Sequence, residues 1–305
     1  MQIVLPGALP DPGAARELMS YLPTHSPTLL RWFERSSMAE TLSDAALTHC
    51  TPLEHWQLLA HGFQATPAQH LSAGLAPLRA QLVSDDKPVW LAELIHMSPS
   101  RDGAALLPAE SLDIDAEHAQ ALLDSAHELA TENGFAFSPD SANQWRVVPP
   151  TGFAPHCASP TLVSISTVND WWPQDIAGQP WRRLVNALQM LWYKHPVNLA
   201  RAAQGLAPIN SLWLYGGAQT SQLSHRTLPD TIIDDRLLSC LQAQDWGGWL
   251  AGLQALEAEV LAPMNTHAEL VLTGSERFVT LVPRRGWFAR FSGKQDWRRW
   301  WSVQS

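Results

Sequence analysis

Few residues in this chain sit at spacings that carry chemistry. His127-Glu128 opens like a zinc-protease helix, but the position one turn on is Thr131, so that helix face offers a single imidazole. No cysteine pair has the C-x-x-C spacing that closes a zinc site, and no G-x-S-x-G elbow exposes a nucleophilic serine. Neither a P-loop nor a G-x-G-x-x-G turn is present to aim backbone N–H groups at a phosphate. Asp234-Asp235 has the composition of a carboxylate pair, yet before Arg236-Leu237-Leu238 it reads more simply as a helix cap. The 12 histidines are scattered, the usual pattern of surface or satisfied core residues.

One segment concentrates charge and aromatic rings. Between Arg277 and Trp301 stand Arg277, Arg284, Arg285, Arg290, Lys294, Arg298 and Arg299 against the single acid Asp296, while the whole chain carries a net charge of −9. Trp287, Trp297, Trp300 and Trp301 interleave with these cations, a mixture suited to gripping a nucleic acid or to cation–π packing within one protein. The acidic remainder would repel nucleic acid, so packing onto the body is expected, with Arg284, Arg285, Trp287, Arg298, Arg299 and Trp300 as the interaction residues if the segment works outward.

The elements that must position these groups follow from periodicity. A strand is expected at 2–5, broken by Pro6-Gly7, and strands at 89–97, 104–107, 135–137, 145–148, 211–215, 231–233, 269–272 and 278–282. Ala119, Leu122, Leu123, Ala126, Leu129 and Ala130 define a helix with Asp115 placed to cap it and Gly134 to end it. Trp181, Leu184, Val185, Leu188, Leu191, Trp192 and His195 define another, with Pro180 in its first turn. Asn198 is expected to cap the short helix after Pro196, and a further helix at 249–261 to end at Pro263.

With 305 residues, 46% hydrophobic and 16% charged, the chain has material for a substantial core, and its odd count of 3 cysteines suits reduced thiols. No apolar run reaches the roughly 20 residues of a membrane helix, and a cytoplasmic, soluble protein is expected.

The stretch His195-Pro196-Val197-Asn198-Leu199-Ala200-Arg201, then Gly205, then Pro208-Ile209-Asn210-Ser211-Leu212-Trp213-Leu214-Tyr215-Gly216-Gly217 resembles the RpfE-type regulatory proteins of proteobacteria. It also resembles the archaeal-type cofactor-independent phosphoglycerate mutases, which belong to the alkaline-phosphatase-like metalloenzymes. The likeness extends over roughly residues 70–217. It implies an α/β fold with an alkaline-phosphatase-like, mostly parallel sheet flanked by helices. A main domain over 1–87 and 151–305 would carry an inserted α+β unit at 88–150, and the strands at 2–5 and 211–215 would share the main sheet. His195, Asn198, Arg201, Asn210, Gly216 and Gly217 would face a ligand, since ligands in open α/β sheets bind beyond strand carboxyl ends.

The departures from that pattern decide the functional expectation. The family's first strand ends in Asp-Gly, whose carboxylate holds one of two divalent metals, whereas here Ile3-Val4-Leu5 runs into Pro6-Gly7. After Gly217 only His225 and His267 remain, in neither D-x-x-H nor H-x-x-x-H spacing. Ser43-Asp44-Ala45-Ala46 resembles the family's nucleophile segment, but a serine there would lack a metal to activate it. The expectation is a non-catalytic regulatory or interaction protein with no metal, no cofactor and no catalytic residue, acting on a protein or small-molecule partner. A metal-dependent mutase or phosphotransferase with a displaced site is the alternative, and a nucleic-acid-associated protein using the tail a further one.

Overall fold

Strand β1 (Gln2–Leu5) is buried along Ile3, Val4 and Leu5 and has parallel neighbours on both sides. In this computed structural model, which describes residues 1–81, 87–101, 103–228, 230–264, 268–284 and 296–302, the chain divides into two compact units. Residues 1–44 and 227–305 form one, and 45–226 form the other.

The first unit is built on a mixed five-stranded sheet in the order β2-β10-β9-β1-β8. Here β2 is Ser36–Leu42, β8 is Thr231–Ile233, β9 is Glu269–Thr273 and β10 is Arg277–Pro283. Strand β1 runs parallel to β8 and β9, while β10 runs antiparallel to β9 and β2. Helices Pro27–Arg35 and Trp246–Leu256 bring Leu29, Trp32, Phe33, Trp249 and Leu253 onto this sheet. At the carboxyl end of the second helix, a π-helical turn at Glu257–Leu261 carries the Glu257 carboxylate to the start of Pro27–Arg35. There it accepts from the Ser26 hydroxyl at 2.6 Å and the Thr28 N–H at 2.9 Å, supplying the cap that no local side chain gives.

The tail completes this core. Trp297, Trp300 and Trp301 are buried around Phe33, with ring centroids 4.9–5.6 Å from it, and the Trp301 indole donates to the Ala15 carbonyl at 3.1 Å. Each buried indole contributes upward of about 2 kcal/mol by apolar transfer, which outweighs what screened surface charge returns. Arg298 lies over the Trp297 ring at 5.0 Å, and Arg299 pairs with Asp296 at 3.3 Å. Trp300 is therefore a core residue. Arg284 extends from β10 with its N–H on the Arg35 carbonyl, and Arg285 and Trp287 lie outside the described residues.

The second unit holds an antiparallel sheet. Strand β3 (Val89–Ser100) runs through its centre, pairing with β7 (Ser211–Ala218) on one side and, on the other, with β6 (Gln144–Val148) and farther along with β4 (Gly103–Leu107). Strand β5 (Ala136–Pro139) continues from β6. The helix Ala116–Glu132 is capped by Asp115, whose carboxylate accepts from the His118 N–H at 2.6 Å, and Gly134 at φ +79 follows its end. Together with Gln179–Trp192 it buries Leu122, Ala126, Leu184, Leu188 and Trp192 on the sheet face that carries Ala92, Leu94 and Leu212.

The α/β class expected from the sequence holds, and one architectural expectation is corrected. The opening strand and Ser211–Tyr215 lie in different sheets, because β7 takes its neighbour β3 antiparallel along Val89–Ile95. The longest strand within residues 88–150, β3, forms the centre of the same compact unit that contains β7, and the chain passes between the two units at 44/45 and 226/227. The helix-then-strand rhythm of residues 181–215 predicts an α/β crossover. Helix Pro196–Ala203 instead returns the chain beside β3.

Candidate functional site

The six residues singled out by the 195–217 motif divide into braces and a strand end. His195 is the cap of Pro196–Ala203, its ring Nδ1 3.3 Å from the Val197 N–H, and burial pulls its pKa down. Asn198 is not that cap. It is buried inside the helix, donating to the Trp192 and Ile209 carbonyls at 3.0 and 2.8 Å and accepting from the Ile209 N–H at 2.8 Å. Arg201 has no exposed surface, and its guanidinium donates to the carbonyls of Ala207, Asp113 and Leu112. Asn210 clamps β3, accepting from the Met97 N–H at 2.7 Å and donating to the Met97 carbonyl at 2.8 Å. These four side chains spend their polar groups on backbone.

Gly216 and Gly217 take φ +110 and +107 and line a cleft together with Gln69, His70, Trp90 and His156. A Cβ at Gly216 would fall 2.3 Å from the Ala76 Cβ and 2.5 Å from the Val89 carbonyl oxygen. Gly216→Ala is therefore expected to cost about 2–3 kcal/mol in chemical denaturation, through overpacking and backbone strain.

Sequence patterns missed the polar site on the other face of β3 and β7. Leu91 pairs with Tyr215 and Glu93 with Trp213, so their side chains share one face. Around Glu93 and Tyr215 a pocket of about 350 Å3 is lined by Arg79, Glu110, Asn143, Gln144 and Thr161. At its edge Arg79 bonds Glu54 at 2.6 Å and lies with Cζ 5.7 Å from the Tyr215 ring centroid. Burial opposes the charge on Arg79, but Glu54 more than restores it. The Tyr215 hydroxyl donates to the Gln144 side-chain oxygen at 2.6 Å, and burial pushes its pKa up. These groups are separated widely in sequence: the β3–β7 and β3–β6 registers bring Tyr215, Glu93 and Gln144 together, and the helix Leu75–Arg79 adds Arg79.

Glu93 is the chemically unusual member. Burial raises its carboxyl from 4.5 to about 7, against the opposing Ala109 N–H bond at 3.0 Å and the Arg79 charge. The folded chain keeps this proton at pH values where the unfolded carboxyl has lost it, so stability falls as pH rises from about 4.5 through about 7. Glu93→Gln is expected to remove that slope and to raise the melting temperature at pH 8, as read by thermal unfolding from pH 5 to 8. A protonated carboxyl beside a guanidinium and two amides offers hydrogen bonds to a small polar ligand, and a ligand donor or cation would favour its ionised form.

The metal centre that the resemblance implies does not fit the residues at the end of β1. Pro6 and Gly7 offer no side-chain ligand, and the Trp249 indole donates to the Gly7 carbonyl at 2.9 Å. Gly7, at φ +79, fits against Leu237 and Leu238 so closely that a Cβ would fall 2.6 Å from the Leu238 Cα. Ser43 is buried, with its N–H on the Glu276 carbonyl. Asp234 is ion-paired to Arg236 at 2.8 Å instead of capping a helix, and His127-Glu128 lies on an exposed helix face. Among the described residues no three His, Cys, Asp or Glu side chains are grouped to hold a metal, and His267 lies outside them.

The chain is thus a mixed α/β protein whose sheets are flanked by helices. Over 106 residues it is 29% identical to a 2,3-bisphosphoglycerate-independent phosphoglycerate mutase of Methanosarcina mazei, a distant homology to that class of enzyme. The match covers 34% of this chain, which spans about a quarter (26%) of that relative's length. Among solved structures, a cofactor-independent phosphoglycerate mutase from Thermoplasma acidophilum aligns over 93% of this chain and 89% of its own, with 11% identity and a TM-score of 0.36. The PH0037 protein from Pyrococcus horikoshii aligns over 98% and 91%, with 9% identity and a TM-score of 0.46. No protein-family model matches the chain. No helix among the described residues is long and apolar enough to cross a membrane.

Proposed function

We propose that this chain is a non-catalytic regulatory or interaction protein, of the RpfE type that its 195–217 motif resembles, built on a phosphoglycerate-mutase-like scaffold. The observation that carries this reading is the end of β1. Where the resemblance calls for a metal-binding carboxylate, Pro6-Gly7 is sealed by the Trp249 indole and the backbone of Leu237 and Leu238. A nucleophile in such a scaffold depends on the metal for activation and for charge stabilisation, and this strand end offers neither. The ligand-facing part of the molecule is then the Glu93 pocket, which takes a small polar ligand without turning it over. The buried thiols of Cys50 and Cys157 suit a cytoplasmic protein.

Steady-state assays of phosphoglycerate mutase and phosphomonoesterase activity, with Mn2+, Mg2+ or Zn2+ added, are expected to stay at the buffer blank. Chelator-sensitive turnover above the blank in either assay overturns the reading.

A further inference from the structure

The cavity beside β3 holds a carboxyl that the fold leaves without a cation of its own. Glu93 is partly buried on β3. One of its oxygens accepts from the Ala109 N–H at 3.0 Å, and the other has no hydrogen-bond partner among the described residues. The neighbouring guanidinium of Arg79 is already paired to the Glu54 carboxylate at 2.6 Å. A carboxyl withdrawn from water keeps its charge at low cost only where a positive group or several hydrogen bonds meet it.

The rest of the lining sets the kind of ligand that would supply that charge. The cavity measures about 350 Å3, space for roughly ten waters at about 30 Å3 each, which suits a compact molecule. Tyr215 has no exposed surface and forms the floor, its hydroxyl spent on Gln144, whose amide donates in turn to Asp140 at 2.8 Å. Glu110 brings an exposed acidic side chain to the opening, and the side chains of Thr161 and Asn143 make no hydrogen bond among the described residues. With Arg79 answered by Glu54, the open groups are two acids and neutral polar oxygens, a balance that repels phosphate and attracts a cation. An ammonium carries three N–H donors on one compact charge, and Glu93, Thr161 and Asn143 offer three oxygens for them. Pro108 and Ala109 add an apolar wall for methylene groups.

Resting on the reading of this pocket as the ligand-facing part of the molecule, we infer that it binds a short aliphatic diamine, with one ammonium on Glu93 and the other toward Glu110. Binding is coupled to a proton. Burial first, with Glu110 and Glu54 adding to it, holds Glu93 neutral up to about 7, against the Ala109 N–H and Arg79. The other ionisable groups near it are Tyr215 on β7 and Asp140 in the turn before β6. Burial pushes the Tyr215 hydroxyl up and Glu54 keeps Arg79 charged, so neither titrates near neutral pH. At pH 6 an arriving ammonium favours the ionised carboxylate, and the carboxyl proton leaves to solvent.

The test titrates the full-length chain with 1,4-diaminobutane, 1,4-butanediol and 3-phosphoglycerate, reading the Ala109 amide by NMR and the heat by calorimetry. The diamine is expected to bind once per chain and to shift the Ala109 resonance, with the neutral diol at least about tenfold weaker. Calorimetry at pH 6 in buffers of different ionisation enthalpy is expected to show about one proton released per diamine, and little release at pH 8. Glu93→Gln should abolish the release and weaken the diamine about tenfold. Glu110→Gln, as a second variant, should weaken it about threefold and keep the release, while Glu128→Gln, on an exposed helix face, should change neither. Equal affinity for diol and diamine overturns the inference, as does diamine binding undiminished in Glu93→Gln. A shift of the Ala109 resonance by 3-phosphoglycerate but not by the diamine overturns it while leaving a ligand pocket in place. If no probe moves that resonance, the pocket reading falls with it, and the turnover assays judge the non-catalytic reading separately.

Discussion

Replacing Arg201 with Met is expected to lower the stability of the second unit by about 3–5 kcal/mol, because three backbone carbonyls lose a charged donor at once, the Leu112 carbonyl at a buried site. Arg201 has no exposed surface, and its fork ties the helix Pro196–Ala203 to the Ala207 carbonyl behind it and to Leu112 and Asp113 ahead of the helix Ala116–Glu132. Burial lowers its pKa while Asp113 and Asp115 oppose that shift. Methionine keeps much of the apolar stem but supplies no N–H, so the loss reads the hydrogen bonds more than the packing. Urea unfolding followed by Trp fluorescence measures it. A loss below about 1 kcal/mol would show that water replaces the guanidinium, and would return Arg201 to the role of a ligand-facing side chain.

The second large effect is expected at Glu54. Its carboxylate, 2% exposed, accepts from the Thr51 N–H at 2.9 Å, the Thr51 hydroxyl at 3.1 Å, the Ser159 hydroxyl at 2.6 Å and the Arg79 guanidinium at 2.6 Å. The first bond, with the Glu54 N–H donating to the Thr51 hydroxyl at 3.3 Å, closes the capping box of the helix Pro52–Ala60, and the last two join that helix to the connector and to the rim of the Glu93 pocket. Glu54→Ala takes the acceptor from two hydroxyls and an N–H and leaves a guanidinium uncompensated, a change that costs about 3–5 kcal/mol for a buried pair. In a double-mutant cycle with Arg79→Met, the second substitution should cost less in the Glu54→Ala background than alone, since the unpaired charge is then gone. Equal costs in both backgrounds would contradict the coupling.

What the sequence made legible follows from which forces are local. Asp115 and Gly134 bound their helix because capping and a left-handed terminal residue act within a few positions, and the apolar spacing of Trp181 through Trp192 reports its buried face directly. Strand β2, Ser36–Leu42, carried no such signal: it is mostly polar and exists because β10 pairs along its whole length. The partner of Ser211–Tyr215 was equally hidden, since nothing local distinguishes a buried strand with parallel neighbours from one paired antiparallel. The pocket shares that cause. Glu93, Gln144 and Tyr215 meet through strand register and Arg79 reaches them from the helix Leu75–Arg79, so no spacing along the chain announces them. The tail was legible as chemistry, and Trp297, Trp300 and Trp301 pack as the cost of exposed indoles demands.

Stoichiometric protein mixed with 3-phosphoglycerate and Mg2+ or Zn2+, followed by 31P NMR, tests the non-catalytic reading most directly, because even one turnover per chain is visible. The spectrum is expected to retain the 3-phosphoglycerate resonance alone. A growing resonance of 2-phosphoglycerate or inorganic phosphate, suppressed by chelator, would contradict a sealed end of β1 and place a working metal site elsewhere in the chain.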